Sequence, residues 1–450
     1  MISFDHFSQY FRSSFWRHLR SSMVPYTSGD IPDDKHDFLR ELHSDIVSRQ
    51  YVPGHPREYI VMNKHNYVAR IIPTFNYRDA SVYFFVIKAL EDLIAENRVY
   101  GTYGGWRLGN PIRRREDEEF DLILSMSYNS YNPLAWVNNW RDFQKKVYIY
   151  SQQYEYDCFI QFDIANFYNS VNLRLLERNI RLLSSIEYTA VVDLLFVFLH
   201  YWNRIFEGYF PKAVGLPQDE IGDMSRILAN FYLQSYDSTI YAIVSNAGSG
   251  YLRYTDDQLI FARNCSIGLE HLYRSSVELH KLNLDINSSK VRIFNNRLDF
   301  ERYWAFDIFR LLQDKDDYHS IATAIGVFFS WIKNNIDFRK HSVLTRILSV
   351  DFSRLPNHVR SPLIDELLAK DFLSQSNYWM LKKIYVNLSN EERDLMFSKL
   401  DDLINILPFN SFHYNILKFY SDYRKSYDTS SLLNRIRQLR LQPTTLDASR

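Results

Sequence analysis

Apolar and polar positions along the chain follow two rhythms, one helical and one strand-like. From residue 1 to about 60, Phe4, Phe7, Tyr10, Phe11, Phe15 and Trp16 recur at helix-like spacing, with a break at Ser28-Gly-Asp-Ile-Pro-Asp33; this predicts a helical packing extension. Tyr59 to Pro73 reads as two strands around a polar turn at Asn63 to Asn66, followed by a helix from about Tyr77 to Asn97. Gly101-Thr-Tyr-Gly-Gly-Trp-Arg-Leu-Gly109 lacks the spacing of a phosphate-binding loop and reads as a mobile loop. Cys158-Phe-Ile-Gln-Phe-Asp163 predicts an apolar strand, residues 172 to 208 predict helices, and a further helix is expected near Ser225 with that serine as its N-cap. Gly250 to Ala262 reads as strand, acidic turn, strand; Leu269 to Leu282 as an amphipathic helix; Leu284 to Phe294 as strand, turn with Lys290, strand.

Beyond about residue 300 only the helical rhythm persists. Ser389-Asn-Glu-Glu392 fits a capping box and Ser361-Pro362 a helix start, while Leu395, Met396, Leu400, Leu403 and Ile404 make an apolar face. The chain closes on a basic helix with Arg435, Arg437 and Arg440 and a polar tail from Gln442. The expected division is a helical extension (1–60), a mixed α+β part (61–300) and an all-α accessory domain (301–450).

Composition narrows the function. Lysine plus arginine and aspartate plus glutamate are balanced at 53 each, so no long-range basic field collects nucleic acid and any such binding must be local. Arg113-Arg-Arg115 runs straight into Glu116-Asp-Glu-Glu119 and is not counted as a basic patch. No apolar run approaches the roughly 18 to 20 residues of a membrane span, and no basic-then-apolar leader opens the chain, so no membrane partner and a cytoplasmic location are expected. With two cysteines, Cys158 and Cys265, both beside apolar strands, small core residues are expected rather than a disulfide framework or a cysteine-rich zinc site.

The chemistry concentrates in two places. Asp163 ends an apolar strand among Phe162, Ile164 and Phe167, where an ionised carboxylate is costly to bury without a cation or donors. Thr255-Asp256-Asp257 puts two more carboxylates at a hairpin tip. Lys64, Arg70 and Arg78 surround the earlier hairpin and helix start, where basic side chains suit a triphosphate.

Three segments in order, Phe162-Asp-Ile-Ala-Asn-Phe-Tyr168, Gly215-Leu-Pro-Gln218 with Ser225-Arg-Ile-Leu-Ala-Asn230, and Tyr254-Thr-Asp-Asp257, resemble the palm motifs of reverse transcriptases. Weaker matches extend the resemblance from about Arg70 to Lys290, roughly half of the chain. One departure stands out: Asp219 follows Gln218 where the family usually has glycine, and Ser225 lies seven residues beyond the glutamine instead of about five. The long helical C-terminal part is similar to that of bacterial abortive-infection and other defence-associated reverse transcriptases.

This resemblance implies a right-hand polymerase with reverse transcriptase-like fingers and palm, followed by an all-α domain. It implies transfer of deoxynucleotides from dNTPs with two Mg2+ ions, for which Mn2+ can substitute, in antiphage defence. Asp163 and Asp256 would ligate both ions, with the Ile164 carbonyl and Asp257 as additional ligands. Tyr168 stands where the family excludes a 2′-hydroxyl; Lys64, Arg70 and Arg78 would contact the triphosphate, Gln218 the nascent pair, and Lys290 would protonate pyrophosphate. Some members of the defence group start DNA on the protein itself without a template, which would leave the product covalently attached. Conventional copying of a bound non-coding RNA is the alternative, and a homo-oligomer is left open. A catalytically inactive nucleic-acid-binding protein and a metal-dependent nuclease are the competing classes.

Overall fold

The computed structural model describes residues 2–21, 32–65, 67–96, 98–108, 135–202, 206–207, 210–211, 215–218, 224–424 and 426–439. The chain divides into two compact units, one of Met1–Glu58, Ile72–Arg297 and Gln442–Arg450, the other of Tyr59–Ile71 and Leu298–Leu441. Arg113 to Glu119, Asp219, Arg440 and the tail from Gln442 lie outside the described residues.

In the first unit the helices Phe4–Ser8, Ser13–Ser21 and Lys35–Val47 lay their aromatic stripe on the long helix Tyr77–Glu96. Phe15 stacks on Phe84 at 4.4 Å and Phe7 meets Phe85 edge-on at 4.8 Å, as the helical spacing of these rings predicts. Ser3 and Asp34 cap two of the three helices by accepting backbone N–H bonds.

The strands are β1 (Glu58–His65), β2 (Val68–Thr74), β3 (Thr102–Tyr103), β4 (Cys158–Asp163), β5 (Phe206–Glu207), β6 (Phe210–Pro211), β7 (Gly250–Tyr254), β8 (Asp257–Ala262) and β9 (Arg292–Phe294). β1 pairs with β2 and β5 with β6, and the remaining five form one sheet in the order β3-β7-β8-β4-β9. β4 is buried along its whole length and runs antiparallel to both of its neighbours. Period-two alternation sends Cys158, Ile160 and Phe162, with Ile260 and Ala262, to one face. There Gly268 of the helix Cys265–Lys281 comes so close that an added Cβ would lie 3.0 Å from Ile160. On the other face Phe159 pairs with Phe261, which packs on Tyr150 of the helix Ala135–Ser151. Cover on both faces explains why these strands read as nearly continuous apolar runs.

Three expectations are corrected in this unit. The stretch read as a mobile loop holds a strand instead: within Gly101 to Leu108 lies β3, which pairs in parallel with β7, and Gly101 to Trp106 are all buried. Cys158 and Cys265 are not separate core residues: they form a disulfide with their Cα atoms 5.1 Å apart, tying the start of β4 to the helix that follows β8. Ser225 lies within the helix Met224–Tyr232, its hydroxyl 2.7 Å from that of Tyr83, where the sequence suggests an N-cap.

The second unit is helical apart from the hairpin residues Tyr59–Ile71. Asn410 fixes that hairpin, accepting from the Val61 N–H at 2.7 Å and donating to the Tyr59 carbonyl at 2.9 Å. The capping box forms as expected, Ser389 capping the helix Asn390–Ile406 with Glu392 reaching back to the Ser389 N–H. Met396, Leu400, Leu403 and Ile404 are buried, whereas Leu395 is exposed. Pro362 does not start a helix; it sits inside Asn357–Leu367, five residues past its beginning. Among the described residues no helix is long and apolar enough to cross a membrane.

Candidate active site

Strand register brings the acidic segments together. Asp163, the last residue of β4, is the register partner of Asp257, the first residue of β8. β7 and β8 are joined by the two-residue turn Thr255-Asp256, so all three aspartates stand at the same end of the sheet. Thr255 has φ +54°, a left-handed conformation that a β-branched residue avoids, at a cost of about 1–3 kcal/mol. Its hydroxyl donates to Asp256 Oδ1 at 2.8 Å.

Residues 285–290 close the other side. The Ala165 N–H donates to the Asp285 carbonyl and the Asn287 N–H to the Asp163 carbonyl, both at 2.8 Å, around the isolated bridge Ile164–Ile286. In such a non-hydrogen-bonded pair the central residue's own C=O points away from its partner, so the Ile164 carbonyl faces the β8 side. The short turn Ser288–Lys290 then carries the Lys290 ammonium onto Asp163 Oδ2, where it donates a short hydrogen bond.

The electrostatics follow from burial. The Asp163 side chain is 8% exposed and its carboxyl is held above the ordinary value, chiefly by desolvation. The Lys290 hydrogen bond opposes that rise and the charge of Asp256 adds to it. For Lys290, desolvation pulls downward, but the Asp163 hydrogen bond and the charges of Asp163, Asp256 and Asp257 outweigh it and hold the ammonium above its ordinary value. Lys290 is thus a cation placed in the field of all three carboxylates. Among the described residues no group of three or more histidine, cysteine, aspartate or glutamate side chains is disposed to hold a metal ion by itself.

The loop Gly215 to Gln218 packs against the short helix Phe167–Ser170 that follows β4. The Leu216 N–H donates to the Tyr168 carbonyl at 2.8 Å, and a Cβ on Gly215 would fall 2.0 Å from that carbonyl oxygen, so only glycine fits. Tyr168, in the short helix Phe167–Ser170, and Gln218 are both half-buried. Arg78 pairs with Asp45, and Lys64 and Arg70 are exposed on the hairpin that belongs to the second unit.

A buried polar set behind the turn escaped the sequence reading. Arg253 and Asp237, both fully buried, make a two-fold contact (Nε to Oδ1 2.8 Å, Nη2 to Oδ2 2.5 Å). Arg253 Nη1 donates at 2.7 Å to Asn230 Oδ1 and at 2.7 Å to the Thr255 carbonyl. Burial alone would lower Arg253, and the Asp237 carboxylate overrides this and keeps it above its ordinary value. Removing one member of such a pair strands the other and costs about 3–5 kcal/mol. The available signal was a charged residue inside the otherwise apolar run Tyr251-Leu-Arg-Tyr254.

Comparison with known proteins finds a family match over part of the chain. Residues 122–324, a little under half of the chain, match the family described as reverse transcriptase (RNA-dependent DNA polymerase), a segment that holds Asp163, Tyr168, Gln218, Asp256, Asp257 and Lys290. No curated protein matches the chain. Similar solved structures include a telomerase from Candida tropicalis truncated from its C-terminal domain, with 12% identity over 58% of this chain and 55% of that one and a TM-score of 0.36. Telomerase from Candida albicans, in complex with a TWJ fragment of telomeric RNA, gives 10% identity over 89% and 67% and a TM-score of 0.37. The chain thus spans about 55% of the length of the truncated Candida tropicalis protein.

Proposed function

We propose that the protein is a DNA polymerase of the reverse transcriptase type, transferring deoxynucleotidyl groups from dNTPs to an oxygen nucleophile at Asp163, Asp256 and Asp257. The observation that carries this reading is the register match of Asp163 with Asp257, with Asp256 in the adjoining turn, inside the segment that matches the reverse transcriptase family. A nuclease would also use carboxylates, but this arrangement lies within a polymerase-type domain.

The residues fit magnesium, or manganese in its place. Asp163 is a buried carboxylate already compensated by the Lys290 ammonium, which marks a position where positive charge is needed. Magnesium in nucleotide sites takes one or two protein carboxylates and completes its shell with water and phosphate, so two aspartates suffice without an all-protein cage. Asp163 and Asp256 would hold the ions, with Asp257 and the Ile164 carbonyl beside them. When bound, such ions activate the attacking hydroxyl and neutralise the triphosphate.

The chain's own residues supply the rest. Lys290, released from Asp163, would give a proton to departing pyrophosphate. Tyr168 would lie under the sugar and exclude a 2′-hydroxyl, while Gln218 would meet the nascent pair. Lys64, Arg70 and Arg78 are proposed for the triphosphate, which requires Arg78 to exchange Asp45 for phosphate. Priming from a tyrosine hydroxyl is the form of the reaction we favour, because a balanced overall charge offers little to hold a duplex end. Exposed hydroxyls are present, Tyr154 and Tyr273 being 90% and 64% accessible.

The test is purified protein with magnesium and labelled dGTP or GTP in turn, with and without added nucleic acid, resolved on a denaturing gel. The expected outcome is label from dGTP and not GTP, migrating with the protein, resistant to RNase and lost on DNase or protease digestion. Label running free of the protein before proteolysis would establish a nucleic-acid primer instead. No incorporation under any condition, or shortening of an added strand, would remove the polymerase reading.

A further inference from the structure

The polymerase chemistry leaves the buried set behind the acidic turn without a role. Of the five N–H donors of Arg253, four are engaged: two on Asp237, one on Asn230 and one on the Thr255 carbonyl. A lysine, with its single nitrogen, cannot reach these three partners in this planar fork. The Thr255 backbone nitrogen itself makes only a long contact, 3.4 Å, with the Tyr103 carbonyl. Asn230, also fully buried, donates in turn to the Gly105 carbonyl at 2.8 Å. Gly104, at φ +104°, leaves open the space that the Thr255 methyl requires, for a Cβ there would stand 2.8 Å from it. The network thus joins the helix Gln234–Asn246, which carries Asp237, and the helix Met224–Tyr232, which carries Asn230, to the strained residue next to Asp256. From there the Thr255 hydroxyl reaches the Asp256 carboxylate itself.

We propose that Arg253 and Asn230 are positioning residues: by holding the Thr255 carbonyl they fix the direction in which Asp256 offers its carboxylate to a divalent cation. The identity of the cation rests on the polymerase reading. Groups that orient metal ligands in this way typically change metal affinity or activity by about 10–100-fold when removed.

The experiment measures Mn2+ binding to the full chain by paramagnetic resonance, together with dNTP incorporation kinetics, for the wild type, Asn230→Ala and Arg253→Lys. Both variants should bind Mn2+ at least about ten-fold more weakly, with kcat reduced by a similar factor. The KM for dNTP should stay within about two-fold, as expected when an interaction acts in the transition state. Asn230→Ala leaves the Arg253–Asp237 pair in place, so it decides the matter if Arg253→Lys does not fold. Unchanged Mn2+ affinity and kcat with only a lower melting temperature would overturn the proposal and make the network purely structural. If the wild type binds Mn2+ but transfers no nucleotide, the polymerase reading fails while the binding comparison still judges the positioning role. If the wild type binds no Mn2+, the proposal falls with it.

Discussion

At the scale of single residues the site turns on how Asp163 stays charged. Desolvation raises its carboxyl, Asp256 raises it further, and the Lys290 hydrogen bond is the largest influence in the other direction. In the metal-free protein the Asp163 carboxyl should therefore titrate above the ordinary value, which NMR of its carboxyl carbon would read. Lys290→Gln removes the lowering influence and leaves burial and Asp256, so that titration should move to higher pH. A titration that stays in place or moves lower would show that Lys290 does not govern Asp163. The three aspartates were legible because carboxylates in apolar surroundings stand out in a sequence. Arg253 and Asp237 were not connected, because their pairing depends on how a helix docks on β7, and nothing in local spacing specifies that. The pairing of Arg78 with Asp45 was not legible for the same reason, Asp45 coming from a distant helix.

At the scale of elements, the described strands and helices largely follow the rhythms of the sequence, and the exceptions have physical causes. β3 is two residues long, too short for a period to appear, and the flanking Gly101 and Gly104 allow close approach to Tyr251 and Thr255. Pro362 lies inside a helix because tertiary packing there outweighs its local preference, with Leu363, Ile364 and Leu367 buried around it. The capping box makes a measurable claim about stability. Arg360 grips both oxygens of Glu392, the Ser389 N–H adds a third bond, and the carboxyl is held down at about 2, first by the Arg360 hydrogen bonds. With the folded value depressed below the ordinary 4.5, its contribution is fully present above the unfolded pKa and is lost as pH falls toward about 2. Melting followed from pH 6 to pH 2 by roughly one-unit steps should therefore show a loss in that window that is smaller in Glu392→Gln. Identical pH dependence in the two proteins would show that Glu392 contributes nothing there.

At the scale of the whole molecule, the helical C-terminal part was legible because the strand rhythm stops near residue 300 and is replaced by amphipathic helices. The grouping of Tyr59–Ile71 with that part was not, since it depends on Asn410, more than three hundred positions away in sequence. The arrangement of Asp163, Asp256 and Asp257 carries no information on a role in defence, so that part of the resemblance has no counterpart in the geometry. The central claim is that Asp163 and Asp256 are the carboxylates of a nucleotidyl-transfer site. The most direct test compares incorporation of labelled dNTP by the wild type and Asp256→Asn, with thermal melting recorded for both. Asp256 is half-exposed at a turn, so the isosteric amide should leave melting unchanged. Loss of an anionic ligand is worth several kcal/mol, so incorporation should fall by about 10³-fold or more. Near-normal incorporation by Asp256→Asn, with melting matching the wild type, would contradict the account.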